Sequence, residues 1–203
     1  MAINLQKGQR ISLSKEAPGL TKIICGLGWD IIKPDGGGFF SKFGNKAGED
    51  YDLDASVICL DDGGKLIDNN NIIYFGNLAH PSGAIIHQGD NTTGAGDGDD
   101  EVIMIDLSRI PSNIDKLVFV VNIYDCQGRK QDFSQIENAF VRLVNTANNQ
   151  ELARFNLSGQ DYQGMTGMVL VNWLITKNCS HCSDIINQIH EYEMLCFGRA
   201  FKY

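Results

Sequence analysis

DLDASVICL, residues 52–60, carries two kinds of side chain in alternation. Asp52 and Asp54 stand two apart, with Asp50 two residues earlier. In an extended strand these three carboxylates point to one face. Tyr51, Leu53 and Ala55 then point the other way, toward a core. DDGGK (61–65) follows, where glycine supplies the positive φ of a hairpin connection. The segment predicts a strand whose first turn of chain concentrates negative charge.

Similar runs recur along the chain. TKIICGLGW (21–29), NIIYF (71–75), EVIMIDL (101–107), KLVFVVNIY (116–124), AFVRLVN (139–145), ELARFNL (151–157) and MTGMVLVNWLI (165–175) are rich in Val, Ile and Phe. Gly, Asp and Asn clusters divide them, and helical periodicity is largely missing before residue 180. This pattern predicts an all-β fold, an antiparallel β-sandwich. SDIINQIHEYEMLC (183–196) predicts one short C-terminal helix, with Ser183 as N-cap and Ile185, Ile189, Tyr192 and Cys196 on one face. The expected organisation is a sandwich domain over 1–178 and a separate C-terminal segment over 179–203. KPDGGGFFSKFGNKAGED (33–50) reads as a long glycine-rich excursion bearing Phe39, Phe40 and Phe43.

The 203 residues suit one domain, and a hydrophobic content of 43% supplies a core. A net charge of −8 repels phosphate backbones, which excludes nucleic acid and favours divalent cations. No segment reaches the ~20 apolar residues of a membrane span, and MAINLQKGQR at the start has no hydrophobic signal core. The expectation is a soluble, cytoplasmic protein. Cys25, Cys59 and Cys126 sit singly in apolar surroundings and read as buried free thiols. Cys179 and Cys182, with His181 between them, match no usual zinc spacing and read as a polar turn.

GDNTTGAGDGDDE (89–101) holds five acids, four glycines and no base. Ca²⁺ takes six to eight oxygens from carboxylates, amides, carbonyls and water. Asp90, Asn91, Asp97, Asp99, Asp100 and Glu101 supply side-chain oxygens, and the glycines let backbone carbonyls turn inward. Neither acidic cluster offers nitrogen or sulfur, which argues against Zn²⁺ and Cu²⁺. The spacing is not that of an EF-hand. GAGDGD is no phosphate loop either, since its charge repels phosphate and no Lys-Ser/Thr follows.

GLGWD (26–30), DYDLDAS (50–56), GDNTTGAGDGDDEVI (89–103), IYD (123–125) and RKQDFSQIENAFVRLVN (129–145) together resemble the TerD family of tellurium-resistance and stress proteins. The resemblance runs from residue 1 to about 175. It implies a β-sandwich that binds Ca²⁺ through these acidic segments, and a link to resistance to tellurite and other stresses and to phage defence. It brings no catalytic activity. Carried over residue by residue, it implies metal ligation by Asp52 and Asp54, by Asp90, Asn91, Asp97, Asp99, Asp100 and Glu101, and by Asp30 and Asp125 at strand ends. Two Ca²⁺ ions are expected, with other proteins of a stress-response complex as partners. The alternative is a metal-assisted hydrolase using the same acidic loops, which needs a general acid or base beside the metal. The sequence departs from the family in the 33–50 insert and in everything after Trp173.

Overall fold

The computed structural model describes residues 2–6, 9–30, 51–94, 98–175 and 183–186. In chain order the strands are β1 (Ile3–Asn4), β2 (Arg10–Ser12), β3 (Lys22–Asp30), β4 (Leu53–Leu60), β5 (Ile72–Ile73), β6 (Ile85–His87), β7 (Glu101–Asp106), β8 (Lys116–Ile123), β9 (Glu137–Asn145), β10 (Gln150–Asn156), β11 (Gly167–Ile175) and β12 (Ser183–Ile186). Two one-turn helices, α1 (Leu13–Glu16) and α2 (Cys126–Arg129), lie between them.

A period of two governs burial in β7 and along most of β4. In β7, Glu101, Ile103 and Ile105 are buried while Val102, Met104 and Asp106 are not. In β4, Leu53, Ala55, Val57 and Cys59 enter the core. Such strands must lay their apolar faces on another layer. They form two six-stranded sheets, ordered β1-β10-β9-β3-β7-β6 and β2-β12-β11-β8-β4-β5. Leu53, Val57, Ile103 and Leu117 are fully buried. Each contributes about 1.5–3 kcal/mol over its exposed state.

The sandwich is antiparallel with one exception: β1 runs parallel to β10, Ile3 opposite Ala153. The other departures sit at the ends of elements. The helix expected over 183–196 does not begin at Ser183. Ser183–Ile186 is β12, placed between β11 and β2 with Ile185 opposite Trp173 and Ile11. Sheet pairing outweighs the weak helical pattern of an isolated segment. Residues 187–196, the CSHC unit and the 33–50 insert with Asp50 lie outside the described residues. NIIYF keeps only Ile72 and Ile73 as strand. Cys25 and Cys59 are free and buried. Cys126 is not a free thiol; it is disulfide-bonded.

This topology sets the acidic segments at one end. β4 begins beside Asp52 and Asp54, β7 begins at Glu101, and β8 ends at Asn122 and Ile123. Asp54 lies opposite Asn122 in the β4–β8 pair.

Candidate metal centre

Strand alternation turns Asp52 and Asp54 away from Leu53 and Ala55 as expected, yet both carboxylates are buried, 6% and 4% exposed. Asp90, on the connection between β6 and β7, approaches them. One carboxylate oxygen of each of Asp52, Asp54 and Asp90 lies within 4.8 Å of the other two. Glu101 completes the group from the opposite sheet. Its Oε2 accepts a 2.7 Å hydrogen bond from the Ala55 backbone N–H, so one side chain ties β7 to β4 across the sandwich.

Crowding leaves its mark on protonation. Burial, then the nearby charges of Glu101 and Asp52, push the Asp54 carboxyl up to about 8, although Asn122 Nδ2 donates to Asp54 Oδ2 at 2.9 Å. Burial and Asp90 push Asp52 up to about 6, with Arg129 pulling the other way. Burial also raises Glu101, opposed by the nearby His87 ring and by the hydrogen bond from the Ala55 N–H. Two oxygens in this group, Asp52 Oδ1 and Glu101 Oε1, are buried without a hydrogen-bond partner. A buried acceptor left unpaired costs about 1–3 kcal/mol. Hard oxygens with nothing to accept from suit a hard cation.

The remaining candidates divide by position. Asp99 turns outward and accepts from Arg142 through both oxygens, 2.7 Å from Nε and 3.0 Å from Nη2. It lies flat on β3, where a Cβ on Gly26 would overlap its carboxylate. Asp100 accepts from the Trp29 backbone N–H at 2.9 Å and from Asn91 Nδ2 at 3.0 Å, while Asn91 Oδ1 accepts from Thr93. These three shape the loop. Asp30 accepts from Asn138 Nδ2 at 2.6 Å and, with Trp29, Gly98, Asn138, Phe140 and Arg154, lines a cavity of about 360 Å³. Its charge contributes to raising Asp100, after burial. Asp125 opens α2 in the left-handed region, φ 46°. Asp97 lies outside the described residues.

Three neighbours were not singled out from the sequence as part of this group. Asn122 is a lone amide inside KLVFVVNI, a polar break that marks a partner for something buried. His87 Nε2 sits 3.5 Å from Glu101 Oε2 with both side chains wholly buried. It follows Ile85 on the inward face of β6, so alternation alone points it inside. Arg129 Nη1 is 4.0 Å from Asp52 Oδ2.

The TerD domain model matches residues 1–177, the span that carries the whole of this group. The chain belongs to the TerD family. One relative is stress response protein SCP2 of Bacillus subtilis (strain 168), 55% identical over 169 residues, covering 83% of each chain. Another is tellurium resistance protein TerD of Serratia marcescens, 43% identical over 169 residues, covering 83% of this chain and 81% of that one. The fold is similar to the crystal structure of a homologue of telluride resistance protein (TerD) from Streptomyces coelicolor A3(2). That match has a TM-score of 0.64 and 18% identity, covering 86% of this chain and 91% of the other. Among the described residues no helix is long and apolar enough to cross a membrane.

Proposed function

We propose that this protein is a Ca²⁺-binding β-sandwich module of a cytoplasmic stress-response and tellurite-resistance system, acting through metal-dependent contacts with other proteins. The names of its relatives support the stress role. One observation carries the metal: Asp52, Asp54 and Asp90 converge within 4.8 Å, beside buried oxygens of Asp52 and Glu101 that have no donor. All-oxygen carboxylate sites of this kind suit Ca²⁺ better than Mg²⁺, which keeps its waters and demands strict octahedral geometry.

Asp52, Asp54, Asp90 and Glu101 would hold the first ion. Asp30 and Asp100, whose charges oppose one another, would hold the second. A bound dication supplies positive charge that neutralises carboxylates otherwise kept apart by repulsion. Asn91, Asp99 and Asp100 keep the loop in place around it. Binding to the folded state alone stabilises it by RT ln(1 + [L]/Kd).

Calorimetric titration with Ca²⁺ and Mg²⁺ tests the reading. Wild type is expected to bind Ca²⁺ in preference to Mg²⁺, and the pair Asp52→Asn and Asp54→Asn to abolish the heat of the first site. A flat titration at millimolar Ca²⁺ in wild type sinks it.

A further inference from the structure

Two cavities meet where β3 and β10 end and β9 begins. One, of about 360 Å³, is the cavity lined by Asp30 and Asn138. The other, of about 480 Å³, runs on past Asn4, Gln6, Asp161 and Tyr162. Arg154, Asn156 and Ser158 line both, so the two adjoin as one groove. Each falls within the ~300–1,000 Å³ of small-molecule sites.

The backbone is shaped around the first cavity. The register of β3 on β9 shifts between Gly28 and Asp30, and Asn138 holds a left-handed φ of 51°. Such bulges re-aim side chains. Here Asn138 Nδ2 donates to Asp30 Oδ2 at 2.6 Å. A Cβ built on Gly28 would stand 2.6 Å from the Phe140 ring, so the bare glycine lets that ring lie close on β3. The Arg154 guanidinium carbon sits 4.0 Å from the ring centre. Glu151 accepts from Arg154 Nε and Nη2, each at 2.8 Å. The remaining nitrogen, Nη1, has no partner among the described residues, and neither have the side chains of Asn156 and Ser158. Tyr162 Oη donates to the Asn156 carbonyl at 2.9 Å and pins the strand end between the cavities.

We propose that this groove binds a neutral oligosaccharide, with Arg154, Asn156 and Ser158 holding the sugar unit where the cavities meet and Asn138 and Asp30 holding the next. The wall argues against other ligands. The Leu5 N–H donates to the Arg154 carbonyl at 2.8 Å on one side of β10, and β9 pairs with its other side, Asn156 opposite Phe140. β10 therefore offers no open backbone edge to a peptide strand. A phosphate or carboxylate is gripped best by two parallel N–H groups of a guanidinium, and Glu151 already takes that edge of Arg154. Asp30 and Asp161, one in each cavity, repel an anion as well. A cation meets Arg154 at the junction. What remains is an uncharged ligand. A hydroxyl gives one proton and accepts two, so hydroxyl-rich units match a wall made of a guanidinium N–H pair, an amide, a hydroxyl and a half-used carboxylate. The groove does not rest on the Ca²⁺ reading, with which it shares Asp30 alone, so the test is run in EGTA.

Amide NMR spectra of the full chain are recorded while maltotetraose, cellotetraose or tetra-N-acetylchitotetraose is added to about 10 mM, enough to detect a millimolar Kd. At least one is expected to bind and to shift the side-chain amides of Asn138 and Asn156. Ser158→Trp, which fills the junction and alters no charge, is expected to weaken that sugar at least about tenfold. Asn156→Ala is expected to weaken it about three- to tenfold, the range for one neutral hydrogen bond. Asn138→Gly, which keeps the left-handed backbone, is expected to do the same. The spectra also report whether each variant is folded. Silence of wild type toward all three sugars overturns the inference. So does a sugar that Ser158→Trp binds as well as wild type does, or a stronger response to spermidine or to a heparin tetrasaccharide than to any neutral sugar. None of these outcomes bears on the Ca²⁺ titration of Asp52 and Asp54.

Discussion

Raising the pH in EGTA should weaken this protein across neutrality, the reverse of the usual behaviour of buried carboxylates in ion pairs. The Asp54 carboxyl is held up at about 8, against an ordinary 3.8, by burial and by Glu101 and Asp52. Between those values the folded chain keeps a proton that the unfolded chain has released. Stability from this group is therefore complete below pH 3.8 and is lost as pH rises through about 8, at up to about 1.4 kcal/mol per pH unit. Asp52 adds to the same slope up to about 6. His80 opposes it lower down, because burial depresses its pKa and favours the neutral ring, a contribution lost as pH falls below about 6.5. Glu151, lowered by hydrogen bonds from Arg154, acts only below the ordinary carboxylate range. The informative window is therefore pH 6.5 to 8. A loss of about 1–2 kcal/mol is expected there, or roughly 3–6 °C in Tm for a chain of this size. Thermal melts followed by circular dichroism in EGTA and in Ca²⁺ provide the assay. With Ca²⁺ the slope should vanish or reverse, since binding ionises these carboxyls and grows stronger as protons leave. Asp54→Asn should flatten the EGTA curve, because the amide has no charge to bury. A metal-free wild type whose Tm climbs from pH 6.5 to 8, or an Asp54→Asn that keeps the wild-type slope, refutes the electrostatic account of the site.

Two further outcomes probe the loop around the cluster. Gly94→Ala sets a Cβ against the Trp29 indole at a backbone φ of 61°, and should cost about 2 kcal/mol or more, read by denaturant unfolding with a matching change in tryptophan fluorescence. Arg142→Met removes the paired bonds to Asp99 and should cost about 1–2 kcal/mol, while weakening Ca²⁺ less than tenfold in a titration; Asp99→Asn should follow it rather than Asp52→Asn.

The fold was legible wherever a strand was long and half-buried. Lys116–Ile123 announces itself by its run of β-branched and aromatic residues, and Glu101–Asp106 by a period of two. Ile3–Asn4, Arg10–Ser12 and Ser183–Ile186 are two to four residues long, and pairing with other strands, for the first two far away in sequence, defines them. No local pattern carries that information. The acidic cluster was legible in part for a related reason. DLD fixes two carboxylates on one face of a strand, and geometry then follows from alternation. In the loop, composition reveals how many acids there are but not where each points. Asp90 turns into the cluster, whereas Asp99 lies on Gly26 and finds Arg142. That difference depends on a guanidinium 43 residues downstream, on a strand whose own sequence gave no sign of meeting the loop.

The arrangement also explains why this end of the sandwich tolerates so much buried charge. Glu101 stands on the inward face of β7, in line with Ile103 and Ile105, where an apolar residue would serve packing better. Its carboxylate instead holds the Ala55 N–H of the other sheet, and its second oxygen has no donor. A structural staple alone would need one oxygen and could be neutral, as an amide is. A carboxylate with one oxygen committed to the opposite sheet and one idle, beside Asp54 and the buried His87, is costly unless something else shares the charge. The cost falls on the contact that joins the two sheets. Filling the site with a cation would therefore tighten the sandwich where β4 meets β7, and leaving it empty would loosen the same seam. On the proposed Ca²⁺ reading, metal loading and the seating of β4 against β7 would be one equilibrium, and Tyr124, whose backbone N–H donates to the Asp52 carbonyl, links the cluster to an exposed ring.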